Sequence, residues 1–146
     1  MRTSLLIYFC IVSVFLMNAQ QENLIVGNWL TQDGDSKISI KKATNDKFSG
    51  EIVWLKEPNR DGKPKTDHKN PDIKLRSRST LGLTLLSGFV YDREDQEWVD
   101  GTIYNPKDGK TYKCLMWFEK EPNKLHVKGY IGFSLLGKEV IWTKAN

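Results

Sequence analysis

The polar side chains best able to bind an ion or transfer a proton are concentrated in residues 56–79. This segment contains Asp67, Asn70, Arg76 and Arg78. A carboxylate, an amide and two guanidiniums close together favour either an anion-binding surface or an acid–base site in which a carboxyl pKa is shifted. We therefore predict a polar site built from these four residues, with the two arginines holding an anionic group.

The charge pattern of the same segment supports anion binding. Eight basic and four acidic side chains fall in residues 56–79, in a chain whose formal net charge is +4. A basic segment attracts a carboxylate, a phosphate or an anionic glycan. Two alternatives remain open: the segment is simply solvated, or Asp67 and Asp72 pair with Arg76 and Arg78 and fix its conformation.

The histidines and cysteines match no recognised catalytic or metal-binding motif. His126 alternates with apolar residues, so we expect it at the surface, and the Asp67 side chain cannot easily orient the ring of its neighbour His68. Nucleophile elbow, phosphate-binding loop and zinc spacing are all missing from the sequence. Cys114 is expected to pack in the core. We therefore expect neither a metal nor a cofactor, and we favour a binding function over an enzymatic one.

Residues 1–19 have the composition of a cleavable secretory signal peptide. Arg2 is the one charge before Glu22, and an apolar run over residues 5–17 is followed by the small residue Ala19. The run is shorter than the roughly 20 residues that span a membrane, so a retained anchor is the less favoured alternative. We expect cleavage after Ala19 or Gln20, which leaves no transmembrane anchor and a secreted or periplasmic protein. Export and the small charge excess argue against nucleic-acid binding.

The mature chain, residues 20–146, is predicted to be a single all-β domain. Its turn-forming residues separate eight predicted strands: 24–31, 37–41, 47–55, 85–92, 97–104, 110–119, 124–131 and 138–144. An open meander would leave two unpaired edges, which closure into an antiparallel up-and-down barrel removes. We predict such a barrel, with residues 56–79 as one long loop after the third strand; a two-sheet sandwich is the alternative.

Aromatic residues on these strands are candidates for the wall of a ligand site. An eight-stranded barrel is either filled by side chains or holds one small ligand. We expect Trp54, Tyr104, Tyr112 and Trp117 to line such a cavity, with packing in the core as the alternative for each. Large residues on both faces of the sixth strand indicate that part of the outer wall is covered, by the long loop or by a partner.

Several strings of the sequence resemble one protein family. They are GNWLT (27–31), GEIVWL (50–55), DHKNP (67–71), GTIYNP (101–106) and DGKTY (108–112). In this order, over about residues 27–144, they are similar to the small exported bacterial proteins grouped as Domain of Unknown Function 2147. The resemblance implies a lipocalin-like barrel in a secreted or periplasmic protein. It implies no established activity and transfers no catalytic residue.

The first of these strings is also similar to the Gly-x-Trp signature that opens the lipocalins. That likeness implies that Trp29 plugs the closed end of the barrel, with Lys144 or an arginine stacked on its ring. The sequence departs from the lipocalins in having no disulfide pair and a longer loop after the third strand.

Three functions are consistent with the sequence. The first, which we favour, is a non-enzymatic binder of a small amphiphilic or anionic ligand in the cell envelope. The second is an enzyme whose polar site, Asp67, Asn70, Arg76 and Tyr104, lies under the 56–79 loop. The third is an interaction module that buries its outer aromatic residues against another envelope component.

Overall fold

The structure, a computed structural model, describes residues 19–132 and 137–146, so the predicted signal peptide lies almost wholly outside the described residues. These described residues contain ten strands: β1 (Gly27–Leu30), β2 (Ser36–Lys42), β3 (Phe48–Leu55), β4 (Asn59–Arg60), β5 (Lys63–Pro64), β6 (Thr84–Asp92), β7 (Glu97–Asn105), β8 (Lys110–Phe118), β9 (Lys124–Tyr130) and β10 (Gly137–Ala145). Within the described residues no helix is long and apolar enough to cross a membrane.

Eight of these strands close into an antiparallel barrel. Their order around the cylinder is β1-β10-β9-β8-β7-β6-β3-β2, and β1 pairs with both β2 and β10. Consecutive barrel strands are neighbours throughout, which is the up-and-down arrangement. The predicted single barrel is therefore confirmed, and the sandwich alternative is wrong.

The closed end of the barrel is filled by large apolar side chains. Phe48, Phe89 and Trp98 are almost completely buried there. The Trp98 ring packs edge-to-face against Phe48 and Phe118, with ring centroids 6.4 Å and 5.5 Å away, an arrangement that aromatic pairs prefer. The closed end is therefore occupied by packed side chains.

Trp29 plugs this end, as its resemblance to the lipocalin signature implied. Its side chain is fully buried, and its indole Nε1 donates a hydrogen bond to the Ile25 carbonyl at 2.8 Å, in a 3₁₀ turn over Asn23–Ile25. Lys144 Nζ lies 4.5 Å from the centre of the Trp29 ring and donates to the Val26 carbonyl. The predicted cation–π contact is confirmed, with Lys144 as the cation.

Residues 56–79, here called the arm, fold back on themselves at the open end of the barrel. The arm contains the two-stranded ladder of β4 and β5 and a 3₁₀ turn over Ile73–Leu75. Its second half folds back on itself: Thr66 bridges Ser79, and the Asp67 amide donates to the Arg78 carbonyl at 3.0 Å. The arm is thus an ordered element that holds its polar residues in fixed positions.

Candidate functional site

The open end of the barrel contains a cavity of about 1140 Å³. Its inner wall is apolar and comes from five strands: Ile52, Leu85, Ile103, Val127, Val140 and Trp142. The volume is slightly larger than that of most small-molecule sites, which are usually about 300–1,000 Å³. The barrel is therefore filled at one end and hollow at the other.

Gly129 contributes to the hollow half because it has no side chain. It lines the cavity on β9, and an added Cβ would meet its nearest neighbours, Ile103 Cγ2 and Tyr112 Cβ, at 3.6 Å. That separation is ordinary van der Waals contact, so a Cβ fits at this position without a collision. Because Gly129 lines the cavity, a larger side chain there would extend into it. The closed end offers no comparable room, since a Cβ on Gly101 would collide with the Phe89 ring.

Charged side chains surround the opening of the cavity and form what we call the rim. Its cations are Lys56, Arg60, Lys65, Lys69, Lys107 and Lys138, and its anions are Asp33, Asp35, Glu57 and Asp108. The anions already have partners. Lys107 Nζ lies 2.6 Å from Asp35 Oδ2 and 3.5 Å from Asp33 Oδ2, and Lys65 lies 4.0 Å from Glu57. Asp108 accepts a hydrogen bond from the Tyr112 hydroxyl at 2.7 Å.

Asp67 is the centre of a buried polar cluster beside the cavity. Its side chain is fully buried and accepts hydrogen bonds from the Tyr104 hydroxyl, from Asn70 Nδ2 at 2.8 Å and from Arg78 Nε at 2.9 Å. Burial alone would raise the pKa of the Asp67 carboxyl. The hydrogen bonds from Tyr104, Asn70 and Arg78 outweigh burial and hold that pKa below its usual value. Asp67 is therefore an ionised hydrogen-bond acceptor whose oxygens are already engaged.

Tyr104 connects this cluster to the barrel. It stands near the end of β7, lines the cavity and donates a hydrogen bond from its hydroxyl to Asp67. Burial, together with the hydrogen bond to the Asp67 carboxylate, raises the pKa of Tyr104 to about 12. The phenol is accordingly a neutral donor at physiological pH and not a general base.

The structure brings together most of the predicted polar site. Asp67, Asn70, Arg78 and Tyr104 form one cluster, and Arg76 joins it by donating from Nε to the Asn70 carbonyl at 2.8 Å. Of these five, only Tyr104 lines the cavity. The prediction that Arg76 and Arg78 hold a ligand's anionic group finds no support in their positions. The alternative that acids and arginines fix the segment matches the Asp67–Arg78 pair, whose Arg78 Nη2 lies 2.8 Å from Asp67 Oδ2.

Of the four predicted wall residues, Tyr104 and Tyr112 line the cavity. Trp54 does not: the pairing of β2 with β3 shifts from Lys37↔Trp54 to Ile38↔Ile52, so Val53 is an extra residue on β3. Such a β-bulge breaks the alternation of faces. Trp54 is consequently 40 % exposed outside the barrel, and Leu55 takes the inward position.

Trp117 was also predicted in the wall and lies on the outer face of β8 instead. Its ring stacks on the His126 imidazole with the centroids 5.1 Å apart. His126 is buried as a result, 8 % exposed, and its Nδ1 lies 2.8 Å from Glu139 Oε1. The expectation of a surface histidine is therefore wrong. On the outer face of β8, Trp117 therefore packs against His126 of the neighbouring strand β9.

The remaining expectations concern Cys114 and metals. Cys114 is fully buried in the core, and burial raises the pKa of its thiol to about 12, so it is an inert packing residue as predicted. Over residues 19–132 and 137–146, no group of three His, Cys, Asp or Glu side chains is arranged to hold a metal ion.

The rim is what sequence reasoning missed. Its residues follow β1 and β3 or lie near the β7–β8 turn and the start of β10. In an up-and-down barrel, alternate turns meet at the same end of the cylinder. Most of the rim could have been predicted from the charged residues of the turns that meet at the same end of the barrel as the arm.

Comparison with known proteins supports the fold. The model of a family described as an uncharacterized protein conserved in bacteria, Domain of Unknown Function 2147, matches residues 27–144. The chain belongs to this family. A solved structure, protein HP1028 from the human pathogen Helicobacter pylori, superposes with a TM-score of 0.69 at 25% sequence identity. The match covers 84% of this chain and 83% of HP1028, which is described as belonging to the lipocalin family. No curated protein matches the chain.

Proposed function

We propose that this member of the family binds a small amphiphilic ligand in the cell envelope without transforming it. The observation that carries the proposal is the cavity, with its apolar inner wall and charged rim. Apolar surface removed from water is the main source of affinity in such sites, and a few polar groups fix orientation. The likeness to a protein described as a lipocalin agrees with a barrel that holds one small ligand.

An enzymatic role is the weaker candidate because the polar cluster has no unengaged acid or base. Asp67 accepts from three side chains and is cut off from the cavity, while Tyr104 is held as a donor. A catalytic acid or base needs a proton that it can exchange near physiological pH. The cluster instead connects the arm to β7 through hydrogen bonds and stabilises their contact.

The cell-envelope location rests on the composition of residues 1–19. Expression of the full chain in a bacterial host, followed by mass spectrometry of the fractionated protein, tests it. We expect a periplasmic or secreted product that begins at Gln20 or Gln21. A product that retains Met1 to Ala19 in the cytoplasm would contradict export and leave the binding proposal without its compartment.

The binding proposal is tested with N-phenyl-1-naphthylamine, a neutral apolar dye that fluoresces when it leaves water. We expect saturable binding at one site per barrel in the wild-type protein. Gly129→Leu places an isobutyl group in the cavity, so it should lower the affinity for the dye at least tenfold while the barrel stays folded. The control is Thr84→Leu, which adds the same side chain at an exposed position that does not line the cavity.

The outcome is decided by comparing the two leucine variants, with folding monitored by circular dichroism. Loss of binding in Gly129→Leu alone supports a ligand in the barrel. Equal binding by both variants and wild type would place the dye outside the cavity and overturn the proposal. Native mass spectrometry of protein purified from its own envelope adds an independent check, since a carrier should retain a bound small molecule.

A further inference from the structure

We propose that the rim contains a subsite for an anionic head group, formed by Lys56, Arg60, Lys69 and Lys138, so that the ligand is an amphiphile with a carboxylate or a phosphate at one end. This inference rests on the proposed function, because it takes the apolar part of the ligand to lie in the cavity. It moves the anion-binding role away from Arg76 and Arg78, which are engaged elsewhere.

The rim keeps a net positive charge after its ion pairs are counted. Lys107 pairs with both Asp33 and Asp35, Lys65 pairs with Glu57, and Asp108 accepts a hydrogen bond from the neutral Tyr112 hydroxyl. The six cations and four anions of the rim therefore leave a net charge of +2. Among the residues that the structure describes, no carboxylate lies within 4 Å of any of the four subsite cations, which are Lys56, Arg60, Lys69 and Lys138. Exposed lysines and arginines are common on any surface, but here three from the arm and one from β10 line the same opening. A net positive charge at the edge of an apolar cleft raises the local concentration of anions there.

Arg60 contacts the His68 imidazole, which does not neutralise its charge as a carboxylate would. Its Nη1 lies 3.1 Å from His68 Nδ1 and 3.0 Å from Nε2, so the guanidinium contacts the imidazole ring. An imidazole fixes the position of an arginine without neutralising it, unlike a carboxylate. Both residues line the cavity. Arg60 therefore presents its remaining N–H donors with their charge uncompensated, and a guanidinium can bind a carboxylate or phosphate through two donors.

The backbone that carries the arm's part of the subsite is held in place before any ligand binds. Gly109 has a φ of +73° and packs directly against the Lys69 carbonyl, so the arm touches the β7–β8 turn at this point. The Lys56 amide donates to the Asp35 carbonyl at 2.8 Å. The Asp67 cluster fastens the arm to β7. A preorganised site loses less conformational entropy when it binds, which raises affinity.

The geometry also sets the size of the ligand's apolar part. Along β10 the cavity runs from Gly137 and Lys138 at the rim to Trp142 at its floor. Five residues at about 3.3 Å each, on a strand tilted by roughly 40°, give a depth of roughly 13 Å. A ten-carbon chain spans a comparable length, so decyl compounds are suitable probes.

The experiment measures displacement of N-phenyl-1-naphthylamine by four compounds at low salt: decanoate, decyl phosphate, 1-decanol and inorganic phosphate. We expect decanoate or decyl phosphate to bind about tenfold more tightly than 1-decanol, since each exposed charge contributes modestly. The better of the two identifies the head group. Inorganic phosphate should not compete measurably, because it has no apolar part. Raising the salt should weaken the anionic ligands and leave 1-decanol unchanged.

The variant that tests the subsite is Arg60→Gln/Lys69→Gln. It should reduce the affinity for the anionic decyl compounds about tenfold and change that for 1-decanol less than twofold. The matched control is Lys63→Gln/Lys74→Gln, which removes two exposed cations of the same arm that do not line the cavity. This control should bind all the decyl compounds like wild type.

Three results would overturn the inference while leaving the proposed function intact: 1-decanol binding as tightly as its anionic relatives, equal losses for neutral and anionic compounds in the subsite variant, or equal losses in the control variant. Competition by inorganic phosphate as strong as that by decyl phosphate would also overturn it, because the ligand would then need no apolar part. Failure of every decyl compound to bind would instead reject the proposed function itself.

Discussion

At the scale of single residues, the Asp67 carboxylate determines how the arm is held. It is fully buried, and it accepts hydrogen bonds from the arm through Asn70 and Arg78 and from the barrel through Tyr104. Burying an ionised carboxylate is costly unless each lone pair finds a donor. Here the donors are present, so the carboxylate fastens two parts of the fold that are distant in sequence.

Replacing Asp67 by asparagine should destabilise the protein by about 2–3 kcal/mol. The change removes the charge that Arg78 faces and puts an amide among other donors, but Arg78 keeps partial access to water, which softens the loss. Equilibrium unfolding in urea measures the effect. Asp72→Asn is the control, because Asp72 only accepts from the Lys74 amide and asparagine can do the same. Similar losses in both variants would contradict the assigned role.

The fall in the free energy of unfolding at acid pH should also depend on Asp67. Its pKa in the folded protein lies below the ordinary value of 3.8. The unfolded state therefore takes up a proton first as the pH falls, and the stabilisation is complete above about pH 4 and is lost below it. The difference in unfolding free energy between wild type and Asp67→Asn should be constant from pH 6 to 8 and shrink below pH 4. A difference independent of pH down to pH 2 would show that the carboxylate charge is not the cause.

At alkaline pH, the free energy of unfolding should depend on Tyr104 and fall as the pH rises. Its pKa rises from 10.0 to about 12 on folding, so its contribution is complete below pH 10 and is lost as the pH rises toward 12. Unfolding free energies of wild type and Tyr104→Phe should therefore converge over this range. Ultraviolet titration checks this by counting the tyrosines that stay protonated at alkaline pH. The Tyr104→Phe variant should have one fewer of these than wild type.

At the scale of elements, the contact between the arm and the β7–β8 turn depends on a missing side chain. Gly109 has a φ of +73°, which disfavours other residues, and it touches the Lys69 carbonyl. Gly62, within the arm, has a similar φ of +76° but nothing within 4 Å of an added Cβ. The two glycines therefore separate the cost of backbone strain from the cost of a collision.

Gly109→Ala should release the arm, whereas Gly62→Ala should not. Both variants lose more than about 1 kcal/mol to the positive φ. Only Gly109→Ala should in addition raise amide hydrogen exchange in residues 65–70 by tenfold or more. Equal exchange in the two variants would mean that the arm does not rely on this contact.

The positions that sequence reasoning placed wrongly lie where one local irregularity changes a face. The alternation on β3 holds through Ile52, and the extra residue Val53 then turns Trp54 outward and Leu55 inward. Nothing in the string GEIVWL marks a bulge, because it arises from the register that β2 imposes. His126 was misplaced for a related reason: the covering Trp117 belongs to a neighbouring strand, and its position depends on tertiary pairing.

At the scale of the whole molecule, the sequence was sufficient for the barrel and for the plug at its closed end. Turn formers divide the chain into strands of similar length, and closure of those strands follows from the cost of unpaired edges. The hollow half could not be predicted, since it depends on which inward positions carry large rings. Those at the closed end do, as with Phe89 and Trp98, whereas Val127, Gly129 and Val140 leave space at the other.

We propose that an amphiphile inserts its apolar part into the open half of the barrel. Nuclear Overhauser effects between protonated decanoate and protein labelled only at isoleucine and valine methyl groups test this most directly. We expect contacts from the terminal half of the decanoate chain to methyl groups of Ile52, Ile103, Val127 and Val140, which line the cavity. Contacts confined to exposed methyl groups such as those of Ile73 or Val90, or none at saturating decanoate, would contradict it.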